Sequence, residues 1–221
     1  MSSGRQVGRV VFRVDASVSG GMGHLRRCAV LARHVRLRGG SPFFIVRAPD
    51  IDAAAEVGDV AEECVYLPER TRGTEDAIWT VDWCRHVHAD RLIVDHYDAD
   101  ECYQRELLSG RIRWLQFDGA TALPLLADWV LSMVPGVAEE AFRARGCRSG
   151  MQWLIGPRYA ILKSEFIGPH PPRRVNGDVR RVLLCFGGGD DYGANMLCLE
   201  ALISIGWTSR VDLVVGGSSP S

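Results

Sequence analysis

Near its start the chain carries a histidine behind three closely spaced glycines, Gly20-Gly21-Met22-Gly23-His24-Leu25-Arg26-Arg27. A strand-like run, Arg9 to Val14, comes just before and ends on Asp15-Ala16-Ser17. Glycine tolerates positive φ and has no Cβ, so such a loop turns sharply and lets a ligand approach the backbone. The helix that follows opens with unpaired N–H groups, which suit a phosphate. An imidazole at that place titrates near neutrality and can take a proton from water. The loop is not a dinucleotide fingerprint, because arginine fills the third glycine slot, and it lacks the Gly-Lys-Ser/Thr ending of a P-loop. A plain structural turn and a phosphate seat both stay open at this point.

Asp95-His96-Tyr97-Asp98 is the second candidate. It follows the apolar run Leu92-Ile93-Val94, as Asp15 and Asp118 follow other strand-like runs. In a parallel sheet all these ends lie on the carboxyl edge, where ligands bind, so together they would line one crevice with carboxylates and imidazoles. Gly187-Gly188-Gly189-Asp190 repeats the strand-to-glycine-turn pattern later in the chain, as a phosphate site or a simple turn. His86-x-His88 has no third ligand at a telling distance, and it reads as surface, not metal. The arginines of Arg143–Arg148 read as a solvated face.

Short apolar runs alternate with helical patterns. Strands are expected at Val10–Val14, Phe43–Val46, Cys64–Leu67, Arg91–Val94, Ile112–Phe117 and, as the last of this set, Trp129–Leu131. Helices are expected at Leu25–Arg38, near Ala53, at Asp76–Val87 and at Glu101–Leu108. Continuously apolar strands between helices indicate an α/β fold with a parallel sheet covered on both faces, a Rossmann-like domain over residues 1–163. Residues 164–178, rich in proline and arginine, read as a linker. Residues 179–221 then give a strand at Arg181–Phe186, a helix at Ala194–Ile205 and a strand at Val211–Val215. That is the beginning of a second Rossmann-type domain, and it is expected to be incomplete, since two strands and one helix cannot cover both sheet faces.

The chain has 221 residues, is 47% apolar and carries a net charge of −1. That balance gives no electrostatic footprint for nucleic acid. No apolar run approaches the roughly 18 residues of a membrane helix, and no signal-like segment opens the chain, which implies the cytoplasm. Seven scattered cysteines without a Cys-x-x-Cys pair argue against a disulfide framework and for buried free thiols.

Four segments carry a family resemblance. Phe12-Arg13-Val14-Asp15-Ala16-Ser17 with Gly21-Met22-Gly23-His24-Leu25-Arg26-Arg27-Cys28 resembles the opening of the UDP-sugar hydrolase family of pseudaminic acid biosynthesis. Val94-Asp95-His96-Tyr97 is similar to its strand-end motif. Leu154 to Leu162 with Glu165-Phe166, and Phe186 to Asp190, resemble its later segments. The resemblance implies a GT-B-like fold of two Rossmann-type domains, similar to MurG-type glycosyltransferases. It implies hydrolysis of a UDP-linked deoxyamino sugar, such as UDP-2,4-diacetamido-2,4,6-trideoxy-β-L-altropyranose, to UDP and free sugar. In that reading water attacks the anomeric carbon and His24 acts as catalytic residue. Arg13, Asp15, Gly21, Met22, Gly23, Arg27, Asp95, His96, Tyr97, Asp118 and Tyr159 bind the sugar side, and Gly187, Gly188, Gly189 and Asp190 bind phosphate. No cofactor or metal is implied.

The chain departs from the family in three places. Gly119 follows Asp118 where a second acid is common, Asp128–Met133 lacks the usual asparagine, and the uridine-gripping part of the second domain is not represented. The expected partner is a small UDP-sugar, with no nucleic acid and no membrane span, and a monomer is favoured. Two other readings stand beside the hydrolase: a GT-B glycosyltransferase, in which an acceptor hydroxyl replaces water, and a non-catalytic sugar-nucleotide-binding module.

Overall fold

The computed structural model describes residues 8–18, 20–118, 124–146, 148–169, 177–186 and 193–215. Its first part alternates strand and helix: β1 (Arg9–Asp15), α1 (Gly23–Leu37), β2 (Ser41–Arg47), α2 (Ala53–Val57), β3 (Glu63–Tyr66), α3 (Gly73–His86), β4 (Arg91–Asp95), α4 (Glu101–Ser109) and β5 (Trp114–Phe117). It continues with β6 (Trp129–Ser132), α5 (Glu139–Arg143) and β7 (Gln152–Ile155). The seven strands form one sheet in the order β3-β2-β1-β4-β5-β6-β7, with every pair parallel. The order reverses between β1 and β4, and a crevice opens at that point on the carboxyl edge of such a sheet.

Burial on both faces explains why the strands read as unbroken apolar runs. In β1, Val10, Phe12 and Val14 pack into one core cluster with Leu25, Cys28 and Ala32 of α1. Val11 faces the other cluster, with Ala77, Val81 and Cys84 of α3 and Tyr103 and Leu107 of α4. Each large side chain buried in this way contributes roughly 1.5–3 kcal/mol. Alternation puts Arg13 on the same side as Val11, against α3. There Arg13 is fully buried and meets Asp76, which is also fully buried.

Contrary to the sequence expectation, β6 is not the last strand of the sheet. β7 adds an edge strand, with Trp153, Leu154 and Ile155 each partly buried. The five-residue α5 was also not legible. The thiols divide as well: Cys28 and Cys84 are buried, but Cys102 and Cys185 are exposed.

The second sheet has two parallel strands, β8 (Arg181–Cys185) and β9 (Arg210–Val214), joined through α6 (Ala194–Ser204). Leu184 is its buried hydrophobic residue among those described, while Leu183, Met196, Leu197 and Ile203 are exposed. No helix among the described residues is long and apolar enough to cross a membrane.

Candidate active site

The loop between β1 and α1 is a closed turn. The Gly21 N–H donates to the Ser17 carbonyl at 2.8 Å, and the Gly20 N–H donates to Ser17 Oγ at 2.7 Å. Gly21 has φ 87°, in the left-handed region that side chains resist. Met22 precedes α1 without a capping side chain, and no acidic residue lies in the helix's first turn.

Three residues of α1 then reach one carboxylate on β4. His24, Arg27 and Cys28 stand at i, i+3 and i+4, so they share a helix face. The His24 Nδ1 lies 3.0 Å from Asp95 Oδ1 and 3.1 Å from the Asp95 backbone oxygen. Both neighbours are acceptors, so in the neutral ring Nδ1 carries the proton and Nε2 keeps its lone pair. Arg27 donates from Nε to Asp95 Oδ2 at 2.5 Å and from Nη2 to Oδ1 in a bidentate pair. Its guanidinium also stacks on Phe117, 4.6 Å from the ring centroid. The Cys28 thiol donates to Asp95 Oδ2 at 3.5 Å.

These contacts set the protonation states. Burial by itself lowers the His24 pKa, but the hydrogen bonds and charge of Asp95 outweigh it, and the imidazole sits above its ordinary 6.5. Burial would raise Asp95, yet Arg27 and His24 hold its carboxyl below the usual value. His96 behaves oppositely. Burial, reinforced by the cations Arg13 and Arg47, pushes it well below 6.5, so it is neutral at pH 7.

Two cavities meet at the His24 ring. One, of about 330 Å³, is lined by His24, Arg27, Asp95, His96, Gln116 and Asp118, among others. The second, of about 550 Å³, is lined by Asp15, Gly20, Gly21, Arg47, Arg72 and, again, His24. Tyr97 borders both, with its ring edge-on to His24 at a 4.8 Å centroid distance.

The remaining predicted site residues take varied positions. Asp15 and Asp118 border the two cavities at different strand ends. Asp118 pairs with Arg145 Nη1 at 2.6 Å, so Arg145 is not on a solvated face as its neighbours suggested. Arg13 lies beneath the site and does not line either cavity: it donates to Asp76 Oδ1 and Oδ2 at 2.9 and 2.5 Å and to Asp15 at 2.5 Å. Met22 and Gly23 stand at the start of α1 outside both linings. Tyr159 is half-buried against the α1-side core and stacks with Arg158. Gly187, Gly188, Gly189 and Asp190 lie outside the described residues. No His/Cys/Asp/Glu group able to hold a metal ion occurs among the described residues, His86 and His88 included.

Arg47, at the end of β2, is a contributor the sequence did not single out. It pairs with Asp15 and, at 2.7 Å, with Asp98, and it donates to the Thr71 carbonyl at 2.9 Å. Arg72 reaches the same Asp98 at 3.3 Å. The sequence signal for Arg47 is an arginine closing an apolar strand, the same signal Asp15 gives with opposite charge.

No protein-family model matches the chain. It is 22% identical over 212 residues to the uncharacterized protein MJ1062 of Methanocaldococcus jannaschii, covering 94% of this chain and 42% of that protein. Among solved structures it is similar to the crystal structure of Acinetobacter baumannii MurG, with a TM-score of 0.57 and 10% identity, over 95% of this chain and 61% of that one. The chain thus spans less than two thirds of the length of either. The fold is α/β and GT-B-like: a Rossmann-type parallel sheet followed by a β-α-β unit of the same class.

Proposed function

We propose that this chain carries the reacting-sugar side of a nucleotide-sugar hydrolase. Water attacks the anomeric carbon of a UDP-linked deoxyamino sugar, the bond from that carbon to the diphosphate oxygen breaks, and UDP leaves. A 2,4-diacetamido-2,4,6-trideoxy sugar is the substrate that the family resemblance favours. The observation that carries the reading is the His24–Asp95 pair at the β1/β4 crevice, with two cavities meeting at the imidazole. Asp95 holds the Nδ1–H, so Nε2 is the atom that takes a proton from water, and the same carboxylate stabilises the imidazolium that forms. A diphosphate is already a good leaving group, so a positioned water and a base supply most of the chemistry this chain must add. The uncapped start of α1 favours negative charge nearby. In this proposal residues 1–163 form one domain, 164–178 the connection and 179–221 the start of the nucleotide-side domain, with Gly187–Asp190 against phosphate.

A GT-B glycosyltransferase is the second reading, favoured by the likeness to MurG and by the 550 Å³ cavity beside His24, which has room for an acceptor. Reaction in 18O-labelled water separates the possibilities. The hydrolase releases UDP without any added acceptor, and that UDP stays unlabelled because water attacks carbon. Label in UDP would mean attack at phosphorus. Release that waits for an added acceptor alcohol would establish the transferase.

A further inference from the structure

We propose that His96 and Gln116 form the floor of a subsite that takes an uncharged acylamino group of the sugar, an inference that rests on the nucleotide-sugar reading above. His96 is 5% exposed, and neither of its ring nitrogens has a hydrogen-bond partner among the described residues. Gln116 is 4% exposed, and its Oε1 is likewise without a partner. Both line the 330 Å³ cavity beside His24. Buried polar atoms are nearly always satisfied in folded proteins, so several orphans around one cavity point to a ligand that satisfies them.

Among the described polar side chains that line this cavity, the buried atoms without a partner belong to His96 and Gln116. Gln104 lines the same cavity, yet both its polar atoms have partners: Nε2 donates to the Ala99 and Pro124 carbonyls at 2.9 Å each, and Oε1 accepts from the Leu126 N–H at 2.8 Å. The charged pairs at the wall are committed as well, Arg27 to Asp95, and Asp118 to Arg145 behind it. An entering carboxylate would find those cations already paired, and an entering ammonium would find the carboxylates already paired. Charged substituents are therefore disfavoured.

An uncharged group with one donor and one acceptor suits the floor. A neutral imidazole offers one N–H and one lone pair, and the Gln116 oxygen offers a second acceptor. Burial and the charges of Arg13, Arg47, His24 and Arg72 all keep His96 uncharged. An acylamino group engages both residues, because its carbonyl accepts from the His96 N–H while its own N–H donates to Gln116 Oε1. Its methyl would meet apolar wall from Phe117, Leu125 and Leu131, each no more than 7% exposed. A hydroxyl can also bond to these groups but leaves that apolar wall unfilled.

The test compares N-acetylglucosamine 1-phosphate, glucose 1-phosphate and glucosamine 1-phosphate, which differ in one substituent, by following the His96 imidazole signals of the full chain in NMR titrations. The expected result is movement of the His96 signals and about tenfold tighter binding of the acetamido probe than of the other two. In His96→Phe, which keeps a ring against Tyr103 (4.9 Å in the native pair), that preference disappears while the melting temperature holds. Gln116→Glu gives an independent check, since its carboxylate turns the preference towards glucosamine 1-phosphate. Equal binding of all three probes, unmoved His96 signals, or an unchanged preference in both variants overturns the subsite. Binding is read here without turnover, so a chain that discriminates among the probes yet never releases UDP overturns the hydrolase reading and leaves the subsite standing.

Discussion

Arg27 and His24 compete for a single carboxylate: both approach Asp95 from the first turns of α1, at 2.5 Å through Arg27 Nε and 3.0 Å through His24 Nδ1. The arginine charge lowers the histidine pKa while the aspartate raises it, so the dyad's set point is a balance between the two. Arg27→Gln removes one arm of that balance. The His24 titration midpoint, followed by imidazole NMR, is expected to rise above the wild-type value. A midpoint that falls or stays fixed would show that the Arg27 charge does not lower the His24 pKa.

The pH dependence of activity follows from the same groups. A base must be unprotonated, and His24 sits above 6.5, so UDP release should climb with pH through an acid limb centred above 6.5. Asp95→Asn removes the raising influence and should bring that limb down in pH while lowering the rate by roughly 10²–10⁴-fold, because the ring loses its fixed tautomer. Stability moves with opposite signs for the two groups. The raised His24 pKa stabilises the fold below about 6.5, the usual unfolded-state value, and that contribution is lost as pH rises through the folded pKa. The lowered Asp95 pKa stabilises the fold above the ordinary carboxylate value and is lost as pH falls through its folded pKa. Chemical denaturation across pH, comparing wild type with His24→Ala and Asp95→Asn, reads both signs.

Arg13 and Asp76 form an ion pair with no exposed side-chain surface on either partner. Removing one partner leaves a buried charge, so Asp76→Leu is expected to cost about 3–5 kcal/mol, somewhat relieved by the Arg13–Asp15 contact. The double variant Arg13→Met/Asp76→Leu should recover most of that loss. Urea titration of the set checks this, and an additive double variant would contradict the pairing.

The thiols offer an independent check on burial. Brief alkylation of the native protein at pH 8, mapped by mass spectrometry, should label Cys102 and Cys185 first. Cys28 and Cys84 should resist, being buried and, in the case of Cys84, pushed up to about 12. Early labelling of Cys28 would mean that the α1–β4 contact opens readily.

The sequence made the strand ends legible, because burial on both faces leaves uninterrupted runs such as Val10–Val14 and Leu92–Val94 punctuated by Asp15 and Asp95. It did not reveal that His24 meets Asp95. That needs β1 and β4 to be neighbours, a product of strand order that no local pattern encodes. Arginines were the least legible residues. Arg13, Arg47 and Arg145 look alike in sequence to the exposed Arg143, yet each is buried or nearly so against a distant aspartate.

In the proposed reaction His24, held by Asp95, removes the proton from the attacking water. UDP release from the UDP-linked diacetamido sugar, followed by 31P NMR with wild type and His24→Ala, tests it most directly, using the full-length protein if the chain is a part of one. Wild type is expected to release UDP, and folded His24→Ala to lose roughly 10²–10⁴-fold in rate. Undiminished release by the folded variant would contradict it.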